Sequence, residues 1–121
     1  MAHILAVDDA KVIRLMVQST LEKEGHKVTL AENGREALNF ARDSSVDLVI
    51  SDLNMPIMNG MVLAAALRNL ENHRFTPILI MTTEDSDYKK AKARSSGASG
   101  WIQKPVDPER LLKAVNKTLA L

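Results

Sequence analysis

Three carboxylates, a hydroxyl and an ammonium stand where short apolar runs end. Asp8 and Asp9 follow the run at residues 4–7, and Asp52 follows residues 48–50 by way of Ser51. Thr82 and Thr83 follow residues 78–81, and Lys104, with Pro105 after it, follows Trp101, Ile102 and Gln103. Asp, Ser and Thr are common helix caps, and for Asp9 alone that reading is as good as any other. For the full set it is much weaker. Clustered carboxylates repel one another and need neutralising, which a divalent cation and Lys104 together would do. Carboxylate oxygens without His or Cys nearby suit Mg²⁺, which keeps several waters and often shares a phosphate. A carboxylate in such a site can attack phosphorus and become an aspartyl phosphate. The cation and Lys104 would neutralise the equatorial oxygens of a loose in-line transfer, and Thr82 could donate a hydrogen bond to the transferred group.

Two competing chemistries fail on inspection. Asp52 and Asn54 open like a calcium loop, but Pro56 takes the third ligand position and no glycine follows it. Neither a G-x-x-x-x-G-K-[ST] run nor a G-x-G-x-x-G run follows the first apolar run, so nucleotide binding has no support.

The elements that must position these groups alternate. Apolar runs at residues 4–7, 48–50 and 78–81, a shorter one at Trp101 and Ile102, and a weaker one at residues 28–30 read as strands. The first and the run at 78–81 lack polar alternation, as strands covered on both faces do. Between them Ile13, Met16, Val17, Thr20 and Leu21 follow helical spacing, with Gly25 placed to end the helix in a left-handed cap. Asn33 and Glu36 form a capping box ahead of Ala37, Leu38 and Ala41. Residues 61–70, rich in Ala and Leu, read as a further helix. Asp107 and Pro108 open a last helix, whose stripe is Leu111, Leu112, Val115 and Leu119. Five βα units imply a doubly wound α/β parallel sheet with helices on both faces. In such sheets the site lies beyond the carboxyl ends of the strands, where the charged set stands.

Composition agrees and excludes much else. At 121 residues, 45% hydrophobic and 26% charged, the chain fits one globular domain, residues 1–121. Aromatic residues make up only 3%, so the core must be aliphatic. The absence of cysteine excludes disulfides and thiolate metal sites. Sixteen basic against fifteen acidic residues give no nucleic-acid footprint. No run approaches the roughly 18 apolar residues of a membrane span, and the N-terminus lacks the basic lead and long apolar core of a signal peptide. A cytoplasmic location is the expectation, with no membrane partner.

At this point the residues resemble a family. V-D-D at residues 7–9, S-D-L-N-M-P-I-M-N-G at 51–60, M-T-T-E at 81–84 and K-P at 104–105 are similar to the receiver domain of two-component response regulators. The likeness covers the chain from Ile4 to the last helix, and is closest to the single-domain chemotaxis regulators of bacteria. It implies a flavodoxin-like (βα)5 fold with strand order 2-1-3-4-5. It implies Asp52 as phosphoacceptor, and Mg²⁺ held by Asp8, Asp9, Asp52 and the backbone carbonyl of Asn54. Lys104 would pair with the phosphoryl group, through a cis bond to Pro105. Thr82 would be the switch hydroxyl and Trp101 the switch aromatic. Asn54 and Glu84 would tune autodephosphorylation. The output surface would be the fifth strand and the helices beside it.

The same resemblance implies partners: a sensor histidine kinase of the chemotaxis type, and then a flagellar motor switch protein or a phosphatase. A monomer is expected, acting as a phosphoacceptor switch with no separate substrate. The last βα unit consumes these residues, leaving none for an output domain. The alternative is a phosphate sink or relay without an output partner. A small phosphatase would need a second acid two residues after Asp52, where Asn54 stands; a flavin-binding module would not place carboxylates against a phosphate.

Two positions depart from the family pattern. Trp101 stands where Tyr or Phe is usual, a larger ring to rotate inward, and Thr83 stands where a small residue is usual, narrowing access to the site. Lys89, Lys90, Lys92 and Arg94 crowd one helix with few large apolar residues. They read first as a solvated face, and second as a loosely packed helix able to shift, whose charge could steer an acidic partner. His3, His26 and His73 lack partner spacing and read as structural. The six methionines read as gap-filling core.

Overall fold

The computed structural model describes residues 1–83 and 86–120, the side chain of Tyr88 excepted. Five strands, β1 (His3–Val7), β2 (Lys27–Ala31), β3 (Leu48–Asp52), β4 (Ile78–Thr82) and β5 (Gly100–Gln103), form one parallel sheet in the order 2-1-3-4-5. The helices are α1 (Lys11–Glu22), α2 (Gly34–Arg42), α3 (Gly60–Arg68), α4 (Asp87–Ser95) and α5 (Pro108–Leu119). This is the doubly wound, flavodoxin-like architecture that the sequence implies.

Alternation of side chains along the strands divides the core in two. Leu5, Val7, Val49, Ile78 and Ile80 face Ala37, Ala41, Leu63, Ala64, Leu67 and Ala93, contributed by α2, α3 and α4. Ile4, Ala6, Leu48, Ile50, Leu79, Met81 and Ile102 face Val17, Leu21, Leu111 and Val115, from α1 and α5. Both faces are covered, so the strands read as continuous apolar runs. Each fully buried Leu or Ile contributes roughly 2 kcal/mol. The methionine reading holds for five residues: Met81 is buried and Met16, Met55, Met58 and Met61 pack against the core, but Met1 is exposed.

Helix ends follow local chemistry. Gly25 has φ +88°, and His26 N–H donates to Leu21 O (3.2 Å) while Gly25 N–H donates to Glu22 O (3.0 Å), a left-handed cap after α1. Asp107 Oδ1 accepts from Arg110 N–H at 2.8 Å, with Pro108 in the first turn of α5. Asn33 Oδ1 accepts from Glu36 N–H at 2.9 Å, but Glu36 Oε1 reaches back to Glu32 N–H (3.3 Å) and not to Asn33. The capping box thus closes one residue early.

The helix expected at 61–70 also differs. It runs from Gly60 to Arg68 and a 3₁₀ turn follows at Glu71–His73, because Leu70 is extended (φ −85°, ψ 128°). Arg68 gathers the carbonyls beyond this break, donating to His73 O (2.9 Å), Thr76 O (2.6 Å) and Gly97 O (2.8 Å).

Strand register sets the functional end. β1 lies between β2 and β3, so consecutive connections leave it in opposite directions, and ligand crevices form at such a point. Val7 is level with Ser51, Asp52 with Met81, and Thr82 with Gln103. The residues that follow each strand therefore meet at one edge.

Candidate functional site

Asp8, Asp9 and Asp52 each bring a carboxylate oxygen to within 4.8 Å of the others. Asp8 and Asp52 are buried and Asp9 is exposed. Asp8 Oδ1 accepts from Ala10 N–H at 2.8 Å, its backbone N–H donates to Ala31 O at 3.1 Å, and its backbone oxygen accepts from Arg14 Nη1 at 2.8 Å. Its second carboxylate oxygen, Oδ2, is buried without a hydrogen-bond partner among the described residues. Burial pushes the Asp8 carboxyl above its ordinary range; Asp52 and Asp9 push the same way, while the Ala10 N–H and Lys104 oppose them.

Lys104 Nζ lies 2.7 Å from Asp52 Oδ1. Its backbone N–H donates to Thr82 O at 2.8 Å, and the Lys104–Pro105 peptide is cis. Thr82 is buried at the end of β4, and Thr83 beyond it is exposed. The structure thus brings Asp8, Asp9, Asp52, Thr82 and Lys104 to one rim. Asn54 is exposed in the loop after Asp52. Glu84 lies outside the described residues.

The loop from β3 to α3 explains the N-M-P-I-M-N-G run. Asn59 Oδ1 caps α3 by accepting from Val62 N–H at 2.9 Å. Gly60 N–H donates to Leu53 O at 2.8 Å, and a Cβ on Gly60 would stand 2.5 Å from Asp52 O. Glycine is required here by close approach of backbone to backbone. Met58 N–H donates to Pro56 O at 2.7 Å, a three-residue turn that holds Ile57 at φ +72°.

Trp101 is half-buried on β5, level with Ile80. Lys90 Nζ and Arg94 Cζ of α4 lie 4.9 and 5.0 Å from its ring centroid. Two of the four α4 cations therefore cover an aromatic face, a correction to the wholly solvated face. Among the described residues of α4, Ala93 is the buried one. Between Trp101 and Thr82 the free volume is about 10 Å³, enclosed by Leu53, Met61, Ile80 and Ala93. That is about the room of one water-sized probe, far less than an indole ring fills.

The donor set fits a hard divalent cation. Three carboxylates converge, one buried oxygen lacks a partner, and the chain has no cysteine to favour a softer metal. Among the three histidines, His3 Nε2 meets Thr29 Oγ1 (2.8 Å) and His26 Nδ1 accepts from Ala2 N–H (3.1 Å). His73 is fully buried, and neither ring nitrogen has a hydrogen-bond partner among the described residues. None joins the acidic cluster. Arg14 does touch it, and pattern reading misses this residue: its only sequence signal is a cation one turn into the helix that follows Asp8-Asp9.

A parallel 2-1-3-4-5 sheet with a carboxylate cluster and a lysine beyond its strand ends defines a class of α/β signalling domains. The response regulator receiver domain model matches residues 4–116, and the chain belongs to that family. It is 38% identical over 120 residues to the protein PilH of Pseudomonas aeruginosa, covering 99% of each chain. It superposes on the chemotaxis response regulator CheY4 of Vibrio cholerae with a TM-score of 0.94 and 47% identity, covering 98% of each chain. A response regulator of Burkholderia multivorans matches with a TM-score of 0.80 and 45% identity, covering 97% of this chain and 94% of that one. The chain spans about half, 53%, of a probable transcriptional regulator, ycf29 of Pyropia yezoensis, at 33% identity. Receiver domains are phosphoacceptor switches that work with sensor histidine kinases, and they typically bind Mg²⁺ in an acidic pocket.

Proposed function

We propose that residues 1–121 act as one receiver domain in which Asp52 accepts a phosphoryl group from the phosphohistidine of a sensor kinase. Asp8, Asp9, Asp52 and the backbone carbonyl of Asn54 would hold Mg²⁺. The observation that carries this reading is the Lys104–Asp52 pair at 2.7 Å beside the buried, unpartnered Asp8 Oδ2.

In the transfer, an Asp52 carboxylate oxygen forms a bond to phosphorus as the donor's phosphorus–nitrogen bond breaks. The leaving electron pair stays on the imidazole. Bound Mg²⁺ supplies charge neutralisation at the equatorial oxygens. Lys104 already holds its ammonium at the acceptor and then pairs with the new phosphoryl group. Thr82 donates its hydroxyl to that group, and Trp101 follows as α4 yields. Asn54 and Glu84 tune hydrolysis, and Thr83 narrows the approach of water. The chain turns over no substrate but its own phosphoryl group.

The output surface is β5 with α4 and α5. A groove of about 520 Å³ there, with Arg94, Trp101, Ala114 and Lys117 among its lining, supports this reading. Likeness to a chemotaxis response regulator supports control of the flagellar motor through a motor switch protein, with a phosphatase resetting the signal. The protein acts as a monomer in the cytoplasm in this reading, and no helix among the described residues is long and apolar enough to cross a membrane.

Acetyl phosphate with Mg²⁺ tests the assignment. Intact-mass spectrometry should show one phosphoryl adduct on the wild type and none on Asp52→Asn. An adduct that persists in the variant would place the acceptor elsewhere.

A further inference from the structure

We infer that Arg14 is a positioning residue for the acidic site: it fixes Asp8 so that Oδ2 is the oxygen left to the cation. This rests on the Mg²⁺ reading given above. Asp8 is held at three points, by Ala31 O, by the Ala10 N–H and by Arg14 Nη1 on its backbone oxygen at 2.8 Å. Removing the third frees the peptide between Asp8 and Asp9, the link between two carboxylates of the cluster. Ala10 stands at the N-cap of α1 and offers no side-chain hydrogen bond to take its place.

The guanidinium is itself held. Its side chain is 13% exposed, and Nη2 lies 3.6 Å from Glu32 Oε1. Glu32 stands on the connection from β2 to α2, where its N–H donates to Glu36 Oε1. Arg14 therefore ties the β1–α1 turn to the β2–α2 turn. A planar fork can serve a carbonyl with one nitrogen and a carboxylate with another, while an ammonium acts as a point charge. Glu32 also offsets the arginine's charge, so the carbonyl is held without unbalanced repulsion of a nearby cation.

If Arg14 merely pinned α1 to β2, its loss would lower stability and leave cation binding alone. The test is Mg²⁺ titration by calorimetry on the wild type, Arg14→Met, Arg14→Lys and Glu32→Gln, with labelling by acetyl phosphate followed as a function of Mg²⁺. Arg14→Met should weaken Mg²⁺ binding about tenfold, as loss of a group that orients a metal ligand does. Arg14→Lys should recover part of that loss, and the labelling deficit should shrink as Mg²⁺ is raised. Glu32→Gln should act in the same direction by about two- to threefold, as loss of a half-exposed ion pair does. It remains decisive where Arg14→Met fails to fold. Unaltered Mg²⁺ affinity in folded Arg14→Met, or in Glu32→Gln where that variant is the readable one, overturns the role of Arg14. A wild type that binds no Mg²⁺ overturns the reading of the site itself.

Discussion

Lys104 reaches Asp52 across the end of a strand that carries neither of them. β4 lies between β3 and β5, yet Nζ stands 2.7 Å from Oδ1, while the Lys104 N–H bonds Thr82 O on the strand in between. Asp52, Lys104 and Thr82 are thus joined through three adjacent strand ends. A change of charge at Asp52 meets β4 and β5 together, and β5 carries Trp101, whose ring Lys90 and Arg94 of α4 cover.

The pair gives a first prediction. Lys104→Met would leave Asp52, whose side chain is 6% exposed, among two other carboxylates without its cation. Breaking a buried pair from one side costs several kcal/mol. The lysine is 27% exposed, so solvent screens part of this. The expected loss is about 2 kcal/mol in metal-free protein. Mg²⁺ should restore much of it, because ten times Kd of a ligand that binds only the folded state adds about 1.4 kcal/mol. Urea unfolding with Mg²⁺ and with a chelator measures both. A variant as stable as wild type in chelator would mean that the carboxylates do not repel in the folded chain.

A second prediction concerns the glycine beneath Asp52. Gly60→Ala places a methyl 2.5 Å from Asp52 O and 3.1 Å from Leu53 Cα, backbone atoms that cannot swing aside. Overpacking of this kind costs about 2 kcal/mol. Because the atom displaced belongs to Asp52, Mg²⁺ affinity should fall as well. Thermal melts and Mg²⁺ titration of one sample test the two effects. Unchanged melting would show that the loop relaxes freely.

Much of this was legible in the chain itself. Residues 4–7 and 78–81 announce covered strands because both sheet faces are packed, and Asp107-Pro108 announces α5 because the cap and first-turn chemistry are local. Asp8, Asp9, Asp52, Thr82 and Lys104 are found by their position after strands. The strand order needed the family likeness, since no local signal sets which strand pairs with which. The end of the third helix was missed because Ala and Leu continue to favour helix while Arg68 collects carbonyls from beyond the break. The role of Lys90 and Arg94 was hidden because their partner, Trp101, lies on another element. Arg14 was hidden for a like reason: it holds a backbone oxygen, and a backbone oxygen leaves no mark in a sequence.

A third prediction follows from Ile57. A β-branched residue at φ +72° is strained, and this one is 69% exposed, so burial gives little in return. Asn tolerates the left-handed region far better. Ile57→Asn should stabilise the fold by about 1 kcal/mol. A raised urea midpoint at an unchanged slope would show this. A lowered midpoint would mean that the exposed isoleucine packs on a neighbour in solution.

The fourth prediction is a pH dependence with two opposing sources. His73 is fully buried with both ring nitrogens unpaired among the described residues, and Arg68 bonds its backbone oxygen at 2.9 Å. Burial, and then the Arg68 charge, hold its imidazole below the ordinary 6.5. As pH falls below 6.5, the unfolded chain takes up a proton that the folded one refuses, so stability declines until the folded value is passed. Asp8 acts in the other sense. Its pKa is raised above 3.8, so between that raised value and 3.8 the folded state binds the extra proton and stability grows as pH falls. The histidine's loss begins at its unfolded value, 6.5, and Asp8 opposes it from its own raised value downward. In chelator, wild-type stability should fall as pH drops below 6.5, with about 1.4 kcal/mol per pH unit as the one-proton limit of the slope. His73→Leu, which removes the titrating group from this buried position, should flatten that limb. Asp8→Asn should leave the limb in place and remove the recovery at lower pH. A limb that survives in His73→Leu would mean that another group takes up the proton.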